Sequence, residues 1–270
     1  MPAVELERLK TEIARLSWQF TRPEEFHRQL NDLLEYYSNQ GYRAGSNITS
    51  AKFIQVYHLP PQIVSQLERQ LGQLCSENPI AALTLADELW KDNHIETRRL
   101  AAFMLGQAPL VSPSGILERL AVWCNPEEES MSLDVLLKYG SWRLRHEQPD
   151  SWLDVIQGWL EKDSFPYIKL GLQALIPVLE DREFNNLPPI YRLLLPLLSA
   201  PQPALISDLQ NVIIALEQRS SGETAYFLRQ IIYRNPIPDV LRLVRRVLPL
   251  LSSDTQKNLH DVVKEFSIPE

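Results

Sequence analysis

Gln157-Gly158-Trp159, followed by the series Ile168, Leu172, Leu175 and Leu179, decides the fold class of this chain. A large apolar residue closes one amphipathic run, a polar stretch containing Asp163 and Pro166 intervenes, and a second run places its apolar side chains at spacings of four, three and four. That is the period of one face of an α-helix. The arrangement recurs along the chain. Glu88-Leu89-Trp90, Ala121-Val122-Trp123, Pro196-Leu197-Leu198 and Ile231-Ile232-Tyr233 supply equivalent closing residues, so the anchors Trp90, Trp123, Trp159, Leu198 and Tyr233 stand 33, 36, 39 and 35 positions apart, the differences of their numbers. The second run returns as Leu205/Leu209/Val212/Leu216 and as Val240/Val244/Val247/Leu251. An earlier copy, Leu133/Leu137/Gly140/Leu144, has glycine at its third position, where the missing side chain predicts close helix approach or a local bend.

A period of this length lies between those of tetratricopeptide and HEAT or armadillo repeats. The alanine and glycine pattern of the former is absent, so the expected fold is all-α, an armadillo-like α-solenoid of HEAT-like helix pairs. One helix pair cannot bury its apolar faces alone, but stacked pairs share a continuous core and form a curved ribbon. Upstream the repeat fades. Helices are expected over about residues 2–20, 22–38 and 60–76, with Gly41-Tyr42-Arg43-Ala44-Gly45-Ser46-Asn47 as a surface loop. Residues 1–78 are thus expected to form an N-terminal cap, and residues 79–270 a repeat region continuous with it in one solenoid domain. Twenty prolines against nine glycines fit short helices that proline punctuates.

The bulk composition narrows the function. With 44% apolar and 23% charged residues the chain has the makings of an ordinary packed core. Its two cysteines, Cys75 and Cys124, are too few for a disulfide framework and lack ligand spacing, which fits a reducing, cytoplasmic setting. No apolar run approaches the roughly 20 residues of a membrane span, and Met1 to Lys10 lacks the character of an export signal. The formal net charge of −7 argues against a uniformly basic surface. Charge is distributed unevenly, however: Glu118, Glu127, Glu128, Glu129 and Asp134 lie in one acidic stretch, while Arg229, Arg234, Arg242, Arg245 and Arg246 make the C-terminal part basic.

Phosphate-loop, dinucleotide, metalloprotease and nucleophile-elbow motifs are absent. The five histidines have no metal-ligand spacing, so neither metal nor cofactor is expected. Trp90, Trp123 and Trp159 hold equivalent repeat positions, which predicts packing between neighbouring units.

The segment Glu88-Leu89-Trp90-Lys91-Asp92 through Glu96-Thr97-Arg98-Arg99-Leu100-Ala101-Ala102, together with Gln148-Pro149-Asp150 through Trp159, Asp163 and Lys169, resembles the DNA alkylation repair family over about residues 45–250. Members are HEAT-like solenoids that hold duplex DNA in a basic concave groove, and some excise cationic alkylated purines as glycosylases. The resemblance puts Asp134 at the family's catalytic aspartate, where a carboxylate would stabilise the sugar cation that develops as the glycosidic bond breaks. It also implies departures. Glu129, Ser130 and Met131 stand where the family has tryptophans, Lys169 where it has arginine, and Ile213 near a further groove tryptophan. Lysine keeps the charge but lacks the guanidinium fork.

The expected function is therefore a binding solenoid of the DNA-alkylation-repair type. Its phosphate contacts would come from Arg98, Lys138, Arg143, Lys169, Arg242, Arg245 and Arg246 on second helices, with Arg99 nearby. The alternatives are a glycosylase that uses Asp134 and a scaffold whose groove takes a protein partner.

Overall fold

Proline opens many of the helices. It occupies the first or second position of eight of the described α-helices, where its fixed φ suits the helix and its missing N–H costs no hydrogen bond. A computed structural model of the protein describes residues 6–38, 54–110 and 113–266, and among these every regular element is a helix. The expected loop Gly41–Asn47 lies outside the described residues. None of the described helices is long and apolar enough to cross a membrane. Two compact units divide the chain, Met1–Glu147 and Gln148–Glu270.

The first unit contains α1 (Leu6–Ser17), α2 (Pro23–Tyr37), α3 (Pro61–Glu77), α4 (Pro79–Trp90), α5 (Ile95–Gln107), α6 (Pro113–Trp123), α7 (Ser130–Val135), a π-helical segment (Leu136–Gly140) and α8 (Trp142–Glu147). Helix α1 packs on α2 and α3, α3 on α4 and α5, and α5 against α7, the π segment and α8. The expected cap boundary at residue 78 falls between α3 and α4 inside this unit, where Asn78 ends one helix and precedes the next. Leu133, Leu137, Gly140 and Leu144 are all buried, as their spacing predicts. Cys75 and Cys124 are free and buried, and burial pushes both thiols up to about 12.

The second unit contains α9 (Pro149–Leu160), α10 (Phe165–Glu180), α11 (Pro188–Ser199), α12 (Ile206–Arg219), α13 (Ser221–Arg234), α14 (Pro238–Val247) and α15 (Ser253–Glu265). Helix α10 packs on α9 and α12, and α12 on α13 and α14, while α11 adjoins α9 and α13, and α13 adjoins α15. Alternate helices are therefore neighbours in this unit. Leu172, Leu175 and Leu179 are buried, as are all four members of the two later series. Glu217 of α12, itself buried, accepts hydrogen bonds from the Ser252 N–H and from the Ser252 and Thr255 hydroxyls. A side chain of α12 thereby fixes the start of α15. Pro177 and Pro196 lie inside α10 and α11, so proline does not everywhere mark a helix end.

Among the anchors, Trp90 and Trp123 stack at 4.8 Å with planes 6° apart, joining the ends of α4 and α6. Trp159, buried near the end of α9, meets Trp152 of its own helix edge-on at 5.6 Å. Tyr233 is largely exposed and rests on Phe266.

Candidate functional site

The π-helical segment sets the geometry around Asp134. A π turn shifts the backbone hydrogen-bond ladder by one residue, and such turns gather at functional sites. Here the buried Arg145 side chain donates to the Leu137 and Lys138 carbonyls at 2.8 and 3.0 Å and to the Ser141 hydroxyl at 2.6 Å. Ser141 in turn donates to the Leu137 carbonyl. These bonds satisfy backbone groups at the junction of the π segment with α8. The neighbouring helix is shaped to fit. A Cβ on Gly106 of α5 would stand 1.9 Å from the Tyr139 carbonyl oxygen, so only glycine permits α5 to approach so closely. Gly140, the last residue of the segment, lies under Leu105 and Leu120, and the close approach its spacing predicts is present.

Met131, Asp134, Lys138 and Trp142 are exposed at successive turns of α7, the π segment and the start of α8, and so form one ridge. Partial desolvation pushes the Asp134 carboxyl above the ordinary aspartate range, and among the described residues no cation or hydrogen-bond donor pairs with it. His146 tilts over Trp142 at 4.4 Å, and the Arg143 guanidinium lies 6.0 Å from the same ring. Trp142 was not among the expected site residues. Its signal in the sequence is its spacing of four from Lys138 and eight from Asp134.

The other expected phosphate contacts divide by environment. Arg98 is occupied internally: it donates to the Asp92 carbonyl at 2.7 Å, to Glu128 at 2.7 Å and to the buried Ser132 hydroxyl at 3.1 Å, and it lies over Trp90. Arg143 donates to the Gln107 carbonyl at 3.0 Å and pairs with Glu147 at 2.8 Å. Arg99 pairs with Glu68 and covers Tyr139. In the second unit, Lys169 on α10 lies close enough to Asp208 of α12 to draw that carboxyl down, against a larger upward push from burial. Arg242, Arg245 and Arg246 project from the polar side of α14, whose other side buries Val240, Val244 and Val247, and Arg242 pairs with Asp239. Ile213, at the position near the family's further tryptophan, is buried in the core of the second unit.

A second polar cluster in the first unit escaped the sequence reading because its members are far apart in the chain. His27 on α2 meets the buried Asp92 carboxylate at 2.5 Å, Asn31 donates to it at 3.1 Å, and the backbone N–H and ring of His94 bind it at 2.7 Å each. Burial raises the Asp92 carboxyl, but the bonds from His27 and His94 outweigh it and hold the group well below the usual range. The bond to Asp92 raises His27. Residues 55–58 are strapped over this cluster. Gln55 exchanges backbone bonds with Asn93 and Ile95, the N–H groups of Tyr57 and His58 donate to Glu96, and the Tyr57 ring stacks on His94 at 4.1 Å. The contacts are dense, and within them the buried Asn31 Oδ1 has no hydrogen-bond partner among the described residues. Among the described residues no group of three or more His, Cys, Asp or Glu is arranged to hold a metal ion.

Comparison of the chain with protein-family models, curated proteins and solved structures gives no match.

Proposed function

We propose that the chain is a HEAT-like repeat protein of the DNA-alkylation-repair type that binds duplex DNA through the ridge of Met131, Asp134, Lys138 and Trp142, with at most slow base excision. The succession of α10, α12 and α14, and of α9, α11 and α13, supports the repeat reading. The observation that carries the function is Asp134: a carboxylate with no counter-ion among the described residues, incompletely hydrated, one turn from the exposed Lys138 and two turns from the exposed Trp142. Such a group attracts positive charge, and Trp142 offers an aromatic face that suits a flat cationic base. Lys138 supplies the phosphate contact. Arg98 and Arg143 already serve Glu128 and Glu147, so few cations remain for phosphate and the affinity is modest.

The test is a salt titration of duplex binding by the wild type and by Lys138→Ala. The proposal expects saturable binding whose salt slope flattens by about 0.9 when one phosphate contact is lost. No binding at low salt, or a slope unchanged by the substitution, refutes it. Single-turnover base release from methylated duplex then separates binding from catalysis. Slow release that falls further in Asp134→Asn fits the reading, whereas rapid excision makes the protein a glycosylase.

A further inference from the structure

Away from the ridge, in the second unit, a groove of about 510 Å³ runs between α11 and α13. Its floor and walls are aromatic and apolar: Tyr191, Leu195 and Pro188 from α11, Tyr226 and Phe227 from α13. Tyr191 and Phe227 touch at 4.7 Å with their rings inclined by 54°, and Tyr226 is 65% exposed, an unusual position for a large aromatic side chain. Gly222 lines the groove near the start of α13, and a Cβ there would meet nothing, so core packing does not account for the missing side chain.

Charge marks the two ends. Glu223 and Arg234 both line the groove, both are exposed, and among the described residues neither has an ion-pair partner. They are eleven positions apart on α13, roughly 16 Å at 1.5 Å per residue. A polyproline II segment rises about 3.1 Å per residue, so five steps of it cover the same distance. Its backbone forms no internal hydrogen bonds, and its prolines lack N–H groups, so it presents carbonyl acceptors. The groove answers with donors, the Tyr226 hydroxyl, the Gln230 amide and the Arg234 guanidinium. Aromatic walls with flanking polar groups are the chemistry by which such segments are recognised.

We infer that the groove between α11 and α13 is a docking site for a proline-rich segment of a partner protein, extended as polyproline II and carrying a basic residue at one end and an acidic residue at the other. The basic end pairs with Glu223 and the acidic end with Arg234, while the prolines pack between Tyr191, Tyr226 and Phe227. This site is independent of the DNA reading and stands if that reading fails.

The test uses the full chain and a fluorescein-labelled peptide, Lys-Pro-Leu-Pro-Pro-Glu with blocked ends, in a fluorescence anisotropy titration. Saturable binding is expected, weakened about tenfold or more by Tyr226→Ala and weakened less by Tyr226→Phe, which keeps the ring and loses only the hydroxyl donor. Because Tyr226 is exposed, both variants should fold, which circular dichroism checks. Glu223→Lys should reverse the preference, so that a peptide with glutamate at both ends binds better than the original. The inference is overturned by the absence of saturable binding below about 1 mM, or by Tyr226→Ala binding like the wild type. It is also overturned if an amphipathic helical peptide of the same charge binds more tightly, or if the groove proves to be closed by a second copy of the chain in solution.

Discussion

His27 and Asp92 hold charge in a place where neither would keep it alone. Burial opposes the Asp92 carboxylate, and the hydrogen bonds of His27, His94 and Asn31 reverse that effect. Since His27 is raised above the ordinary histidine value of 6.5, its contribution to stability is complete below about pH 6.5 and is lost as pH rises through the folded-state value. Asp92 is lowered from 3.8, so its contribution is present above about pH 4 and is lost as pH falls towards the folded-state value. The bond between the two residues contributes to both shifts and counts once. The urea midpoint of the wild type should therefore fall between pH 6.5 and pH 9, and in His27→Gln that fall should flatten. An identical pH profile in the two proteins would show that the imidazolium does not support the fold.

Glycine separates two kinds of helix contact. At Gly106 any side chain collides with the Tyr139 carbonyl of the π segment, a backbone atom that cannot rotate away. Gly106→Ala should accordingly cost about 1–3 kcal/mol, the usual range for overpacking. Gly158, exposed on α9 with nothing near its would-be Cβ, should behave oppositely: Gly158→Ala should stabilise by about 0.5–1 kcal/mol through helix propensity alone. Thermal unfolding of both variants tests the pair, and equal effects would contradict it. The helix pairs themselves were legible, because Trp90, Trp123, Trp159 and Leu198 recur at helix ends and the four-three-four spacing follows the buried faces. The π segment was less so. It conforms to the same apolar register at Leu133, Leu137 and Gly140, and only the glycine hinted at a departure. Nor did spacing expose the partners of Arg98, since Glu128 and Ser132 reach it only after α5 and α7 have packed. Sequence periodicity reports which face of a helix is buried, but not which charges are neutralised across the contact.

At the scale of the whole chain, each unit contains its own buried helix faces. A fragment of residues 148–266 should then fold alone, giving helical circular dichroism, a cooperative urea transition and the blue-shifted emission of the buried Trp152. A fragment with red-shifted emission and no transition would show that the second unit depends on the first. Both cysteines, by contrast, belong to the first unit, Cys75 on α3 and Cys124 just beyond α6. Buried and protonated at neutral pH, they present no thiolate to an alkylating reagent while the unit is closed. Their modification must wait for helices to part, so with reclosing faster than labelling, the alkylation rate equals the opening equilibrium multiplied by the rate for a free thiol. Without any engineered probe, the first unit carries two chemical clocks that count how often it opens.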